Sequence, residues 1–141
     1  METIVFESKV MWSQLDANMH LRHSAYADFA AQARLELLEK LGCGMKEFAK
    51  HKIGPILFRE ELLYFKEVRP GDTIRMTCEL SSLSEDQSRW SFVQHMYRSD
   101  DVKAATINVD GAWIDLEKRK IAVLPPELLR LFATIPKVSD F

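Results

Sequence analysis

Residues 10–42 read VMWSQLDANMHLRHSAYADFAAQARLELLEKLG, and their pattern decides the fold. They pass from the end of a strand, through a short polar turn, into one long helix. Tyr26, Phe29, Ala30, Ala33, Leu37 and Leu41 recur at three- and four-residue steps, which predicts a helix over 25–41 with one apolar face. Five alanines between 25 and 33 keep the first half of that helix narrow, so a curved sheet can approach it closely. Ser24 or His23 caps it, Ser24 being the better acceptor by type. Gly42 and Gly44 are suited to end it, since glycine accepts the left-handed conformation past a helix terminus.

Upstream, residues 2–12 are β-prone though imperfectly alternating, and are read as a first strand. Residues 13–23 form the turn and concentrate the unusual side chains: Asp16, Asn18, His20, Arg22 and His23. Downstream, a short helical turn is expected within 44–52. The pattern then changes to strands over 56–68, 73–84, 88–98 and 102–116. The second alternates cleanly, with Ile74, Met76, Cys78 and Leu80 on one face. The third places Trp90, Phe92, Gln94 and Met96 on one face. Arg69-Pro70-Gly71-Asp72, residues 84–87 and residues 99–101 are turns, and such short connections imply antiparallel pairing. Pro126 suits the first position of a short C-terminal helix, and Pro136 ends regular structure. The expected architecture is α+β: an antiparallel sheet wrapped around one long central helix, in a single domain over 1–141.

Composition bounds the function. With 141 residues, 47% of them apolar, the chain can bury a core. A net charge of -2 without a basic run gives no electrostatic case for nucleic acid. No apolar run approaches the roughly 20 residues that span a bilayer, and the first dozen residues carry no basic-then-apolar export signal. Cys43 and Cys78 form no CxxC pair and are read as reduced thiols of a cytoplasmic protein. There is no Gly-rich phosphate loop and no G-x-S-x-G elbow. Asp16, His20 and His23 have a spacing that would serve a metal on a continuous helix. They lie in a turn, however, and no second histidine pair follows, so no metal is expected. Glu60-Glu61 reads as a solvated strand segment, and Trp90 and Trp113 as sheet packing.

The element order and the turn together resemble the hotdog fold, and within it the 4-hydroxybenzoyl-CoA thioesterase-like family of acyl-CoA thioesterases. That family carries a stretch approximating D-x-x-G-H-V-N-N-x-x-Y before its central helix. Here Asp16, His20 and Tyr26 match it at the right spacing, Ala33-Arg34 matches a frequent pair later in the helix, and Arg69-Pro70-Gly71-Asp72 resembles the family's Gly-Asp turn. Met19 stands where the family favours Gly, and Arg22-His23 where it favours Asn-Asn.

The resemblance implies hydrolysis of an acyl thioester to a carboxylic acid and a free thiol, with Asp16 as general base or nucleophile. The substrate is acyl-CoA or an acyl carrier protein thioester; coenzyme A enters as part of the substrate and no other cofactor is implied. Free amides at the helix start are expected as oxyanion donors. Asn18 and His20 are candidates to orient Asp16 or water, His23 to protonate the leaving thiolate, and Tyr26 to line the acyl pocket. Each also has a plainer reading, as turn geometry, a structural hydrogen bond, helix entry or core packing. Lys66, Arg69 and Arg75 are candidates for the CoA phosphates by position.

Two other functions are weighed. A hotdog hydratase or dehydratase resembles D-x-N-P-x-H, and this chain lacks the Pro and is one residue short. A non-catalytic acyl-thioester-binding module is motivated by Met19, Arg22 and His23. Open sheet edges, and the subunit pairing usual in the family, imply a homodimer or a dimer of dimers.

Overall fold

A computed structural model describes residues 3–141. The first strand, β1, is Ile4–Lys9, shorter than the 2–12 expected; Glu2 lies outside the described residues. Residues 12–14 instead wind into a 3-10 turn, which leaves the Trp12 side chain 82% exposed. The central helix, α1, is His23–Lys40, and a short helix, α2, is Met45–His51. Then come β2 (Ile53–Tyr64), β3 (Thr73–Thr77), β4 (Glu79–Leu83), β5 (Arg89–Tyr97), β6 (Lys103–Asp115), β7 (Lys120–Ile121) and α3 (Pro126–Phe132).

The sheet runs β1-β3-β5-β6-β2, every pairing antiparallel, with β4 continuing β3 along β5 and the two-residue β7 on β6. The expected strand over 73–84 is interrupted at Cys78. Just before the break the Thr77 hydroxyl accepts the His95 amide at 3.0 Å, a side chain standing in for the backbone ladder. Pairing on both sides of the break keeps one register, Met76 opposite Met96 and Glu79 opposite Val93, so the inner face stays continuous. β2 starts three residues earlier than expected because Ile53 already pairs with Asp115. It ends at Tyr64, where the amides of Phe65 and Lys66 both turn to the Ala104 carbonyl.

α1 buries Ala25, Tyr26, Phe29, Ala30, Ala33, Leu37 and Leu38 against the inner face of the sheet. The alanines permit close approach, and Ile74, Met76, Leu80 and Met96 meet them from the strands, all fully buried. One polar core residue, Gln94, is satisfied by the helix: its side-chain amide donates to the Ala30 carbonyl at 2.9 Å and its oxygen accepts from Arg34 at 2.9 Å. Gly42 takes φ +82° and ends the helix as expected. Gly44 does not help end it. It is the N-cap of α2, where its amide donates to the Glu47 carboxylate at 3.2 Å. Phe132 of α3 packs edge-on against Trp113 with ring centroids 5.2 Å apart, closing the core at the far end. Past Pro136 the backbone still pairs, Val138 donating to Leu80 at 2.9 Å. Among the described residues no helix is long and apolar enough to cross a membrane.

Candidate active site

The polar turn is a small loop closed on itself. Leu15 and Leu21 form an antiparallel bridge, and the Asp16 amide donates to the His20 carbonyl at 2.8 Å. Inside this loop Oδ1 of Asp16 accepts the amides of Asn18 at 2.8 Å and His20 at 3.2 Å. An aspartate bonding the backbone two residues on is the turn chemistry its short side chain favours. Oδ2 has no partner among the described residues. One oxygen of the carboxylate thus fixes its position and the other faces solvent.

The Leu21 amide ties the loop to the Val68 carbonyl at 2.8 Å, and Arg22 ties it to the 3-10 turn. Arg22 donates from its backbone to Gln14 at 2.8 Å, from Nη1 to the Ser13 carbonyl at 2.6 Å, and from Nε to Ser24 Oγ at 3.0 Å. Arg22 is therefore the N-cap residue, and α1 begins two residues before the expected start. Ser24 caps nothing; its hydroxyl is occupied by Arg22. The amides of His23 and Ser24, at the positive end of an 18-residue helix, have no partner among the described residues.

Met19, at the position where the resemblance favours Gly, adopts φ +62° with its side chain half exposed. A left-handed residue with a Cβ is penalised by roughly 1–2 kcal/mol, against roughly 0.5–1 kcal/mol of chain entropy for a glycine. Met19→Gly is therefore expected to stabilise the protein by about 0.5 kcal/mol, read by urea titration. A clear loss of stability would show instead that the methionine side chain contributes packing.

Asp16, His20, His23 and Tyr26 come together on an open cleft of about 350 Å³, joined by Tyr64, Lys66 and Glu67. Asn18 is not part of its lining; it serves the site through its backbone amide alone. His20 likewise meets Asp16 through its amide, and its ring faces the cleft. Tyr26 is buried, and its ring meets Tyr64 edge-on with centroids 4.9 Å apart. Burial, then the neighbouring Tyr64, Asp16 and Glu67, push its phenol up to about 12, so it stays protonated and a hydrogen-bond donor. Glu67 is held below the usual carboxylate range, first by its own backbone amide, so it brings a negative charge to the cleft.

Lys66 is the cation of the cleft. Arg69 and Arg75, the other two candidates for phosphate contacts, are engaged at the opposite turn. Arg69 lies 3.9 Å from Asp100, and Arg75 pairs with Asp101. Tyr64 and Glu67 escaped the sequence reading because the strand signal over 56–68 hides where β2 ends and which side chains turn toward the helix. Among the described residues no group of three or more His, Cys, Asp or Glu is arranged to hold a metal ion.

Comparison with known proteins gives the arrangement a family context. Residues 10–132 match the model of the thioesterase-like superfamily. No curated protein sequence matches. Among solved structures, the chain resembles a Staphylococcus aureus protein determined in complex with CoA (TM-score 0.85, 17% identity, 94% of this chain and 84% of that one). It also resembles a DHNA-CoA thioesterase from Staphylococcus aureus (TM-score 0.83, 18% identity, 91% and 87%). A third is a 1,4-dihydroxy-2-naphthoyl-CoA thioesterase from Synechocystis (TM-score 0.80, 14% identity, 92% and 94%). At these identities the likeness is one of fold, and the fold is the hotdog fold.

Proposed function

The chain belongs to the thioesterase-like superfamily, and from that premise we propose that it is an acyl-CoA thioesterase whose working carboxylate is Asp16. The observation that carries the proposal is the division of labour on Asp16. Oδ1 is fixed by two amides while Oδ2 has no partner among the described residues, and Asp16 lines one cleft with His23, the first residue of α1. The solved relatives that are CoA thioesterases support the substrate class.

In this reading water sits on Oδ2, which takes its proton as the oxygen attacks the thioester carbonyl. The carbonyl oxygen gains negative charge and is met by the amides of His23 and Ser24, aided by the helix dipole. The intermediate collapses, the C–S bond breaks, and the thiolate takes a proton from Asp16 or from the His23 ring. Direct attack by Oδ2 gives the same products through a mixed anhydride that water then cleaves. Coenzyme A enters as part of the substrate in this reading, and Lys66, which lines the cleft, would meet its phosphates. The two buried free thiols, Cys43 and Cys78, accord with a cytoplasmic location.

The enzyme is further read as a homodimer joined along β2. Among the described residues that strand pairs with β6 alone, and Leu57, Phe58, Leu63 and Tyr64 stand exposed along it. An unpaired apolar edge is an association site. Light scattering at micromolar concentration is expected to give at least twice the chain mass; a monomer would remove the dimer. The function itself is tested by free-thiol release from short, long and aromatic acyl-CoAs. Turnover on at least one class is expected. No release from a folded protein on any of them would leave a binding module.

A further inference from the structure

One buried polar group at the cleft takes no part in the steps above. Tyr26 is only 4% exposed, yet it lines the cleft with Asp16, His23 and Glu67. Its hydroxyl has no hydrogen-bond partner among the described residues. The sealed side-chain polar atoms that lack a partner belong to Gln87, Trp90 and Trp113. The Tyr26 hydroxyl is not one of them, so it touches solvent, and the solvent beside this residue is that of the cleft. Buried tyrosines ordinarily find a partner for the O–H, so a hydroxyl left open in a cleft is suited to a ligand.

The helix fixes where that hydroxyl sits. Tyr26 is the fourth residue of α1. Helical side chains lean toward the N-terminus and cover the preceding turn. That turn is residues 23–25, which holds the unpartnered amides of His23 and Ser24. Tyr64 gives a second bearing. It reaches the His23 carbonyl at 3.4 Å and meets the Tyr26 ring edge-on with centroids 4.9 Å apart, so that ring lies beside the start of the helix. Burial and the edge contact hold the ring in place, which makes the hydroxyl a donor already oriented before substrate arrives.

We propose that the Tyr26 hydroxyl is a catalytic hydrogen-bond donor to the thioester carbonyl oxygen, acting with the amides that open α1. This rests on the thioesterase reading and gives that site a third oxyanion donor, alone among the three in coming from a side chain. A phenol could instead act as a base or protonate the leaving thiolate, and its proton affinity decides against both. Burial, then Tyr64, Asp16 and Glu67, raise it to about 12, so no phenolate is present at neutral pH to act as a base. A thiolate whose thiol titrates near an ordinary value of about 8.5 is too weak to take its proton. The oxygen of the tetrahedral intermediate is a stronger acceptor, and donation to it needs no transfer. Tyr26 keeps its proton throughout, and no covalent bond forms or breaks there.

The test has two arms. In the first, kcat and KM are measured for the native chain and Tyr26→Phe on an acyl-CoA that the native chain hydrolyses. Phenylalanine keeps the ring, its burial and its contact with Tyr64. The hydroxyl bonds nothing within the protein, so the urea midpoint is expected to stay at the native value. kcat is expected to fall on the order of 10²-fold with KM within about twofold. A kcat within about threefold of native overturns the proposal, and so does a loss that comes with a lowered midpoint.

The second arm needs no turnover. A ketone analogue of acyl-CoA, with a methylene in place of the thioester sulfur and an isotopically labelled carbonyl, is bound to both proteins. Its carbonyl stretch is read by isotope-edited infrared spectroscopy. A hydrogen bond lowers that frequency, so the native band is expected below the band in Tyr26→Phe. Coincident bands, or no binding of the analogue to the native protein, overturn the proposal. Coincident bands beside full native turnover remove Tyr26 from the chemistry while the thioesterase reading stands. Separated bands without hydrolysis of any acyl-CoA keep the hydroxyl on the acyl carbonyl and remove the thioesterase.

Discussion

Asp16→Asn is expected to lower kcat on the order of 10³-fold while leaving the fold intact. Asparagine keeps an oxygen where Oδ1 accepts the amides of Asn18 and His20, so the loop retains both bonds. It gives up the negative charge and the free oxygen, so neither proton abstraction nor nucleophilic attack remains. A 10³-fold loss corresponds to about 4 kcal/mol of transition-state stabilisation. The oxyanion amides of α1 are untouched and sustain a residual rate. Asp16→Ala removes catalysis and the loop bonds together. It is expected to add a stability loss of about 1–2 kcal/mol, visible in urea titration and absent from Asp16→Asn. The pair of variants therefore separates the chemical role of the carboxylate from its structural one. An asparagine variant within tenfold of the native rate would leave Asp16 a turn residue.

Gly111→Ala is expected to cost roughly 3 kcal/mol or to prevent folding. Gly111 faces Leu57 across β6–β2 and Trp90 across β5–β6. A Cβ there would lie 2.2 Å from the Ile56 carbonyl oxygen and 2.4 Å from the Trp90 ring. The first contact is with backbone, which yields only if β2 separates from β6. The second displaces the Trp90 ring from its contacts with Phe92 and Trp113. The reason for glycine here is space rather than conformation, since its φ is not in the left-handed region. Urea denaturation measures the loss directly. A midpoint close to native would mean that the two strands absorb a methyl group and that the close approach is not required.

How much of this was legible in the sequence varies by element. Helix α1 was, because its apolar positions repeat at helical spacing and glycine follows it. The antiparallel sheet was, because turns with their own chemistry separate alternating runs. The start of α1 was misread because N-cap preference favours serine, whereas Arg22 reaches backward to Ser13 and sideways to Ser24 and holds the helix entrance from outside. No local propensity encodes that nine-residue reach. β2 was displaced by three residues because its limits are set by its partner: β6 pairs with it from Asp115 to Ala105, and beyond that the Ala104 carbonyl takes the amides of Phe65 and Lys66 together.

At the site, Asp16, His20, His23 and Tyr26 were named through the family resemblance, and they line one cleft. The amide-only roles of Asn18 and His20 depend on loop geometry, which residue type does not dictate. Arg75 was named by position alone, and its guanidinium instead meets Asp101 across a turn. A second hollow, of about 220 Å³ and lined by Leu35, Phe48, Leu57, Trp90 and Trp113 among others, drew no notice because its walls come from α1, α2, β2, β5 and β6. Each of its residues, taken singly, reads as core.

The most direct test of the central claim is a side-by-side measurement of acyl-CoA thiol release by the native chain and Asp16→Asn, with calorimetric binding of the same non-hydrolysable acyl-CoA thioether to both. Native turnover, a variant slower by on the order of 10³-fold, and equal affinities would establish Asp16 as the catalytic carboxylate of a thioesterase. Equal binding with no native turnover, or turnover that the substitution leaves in place, would contradict it.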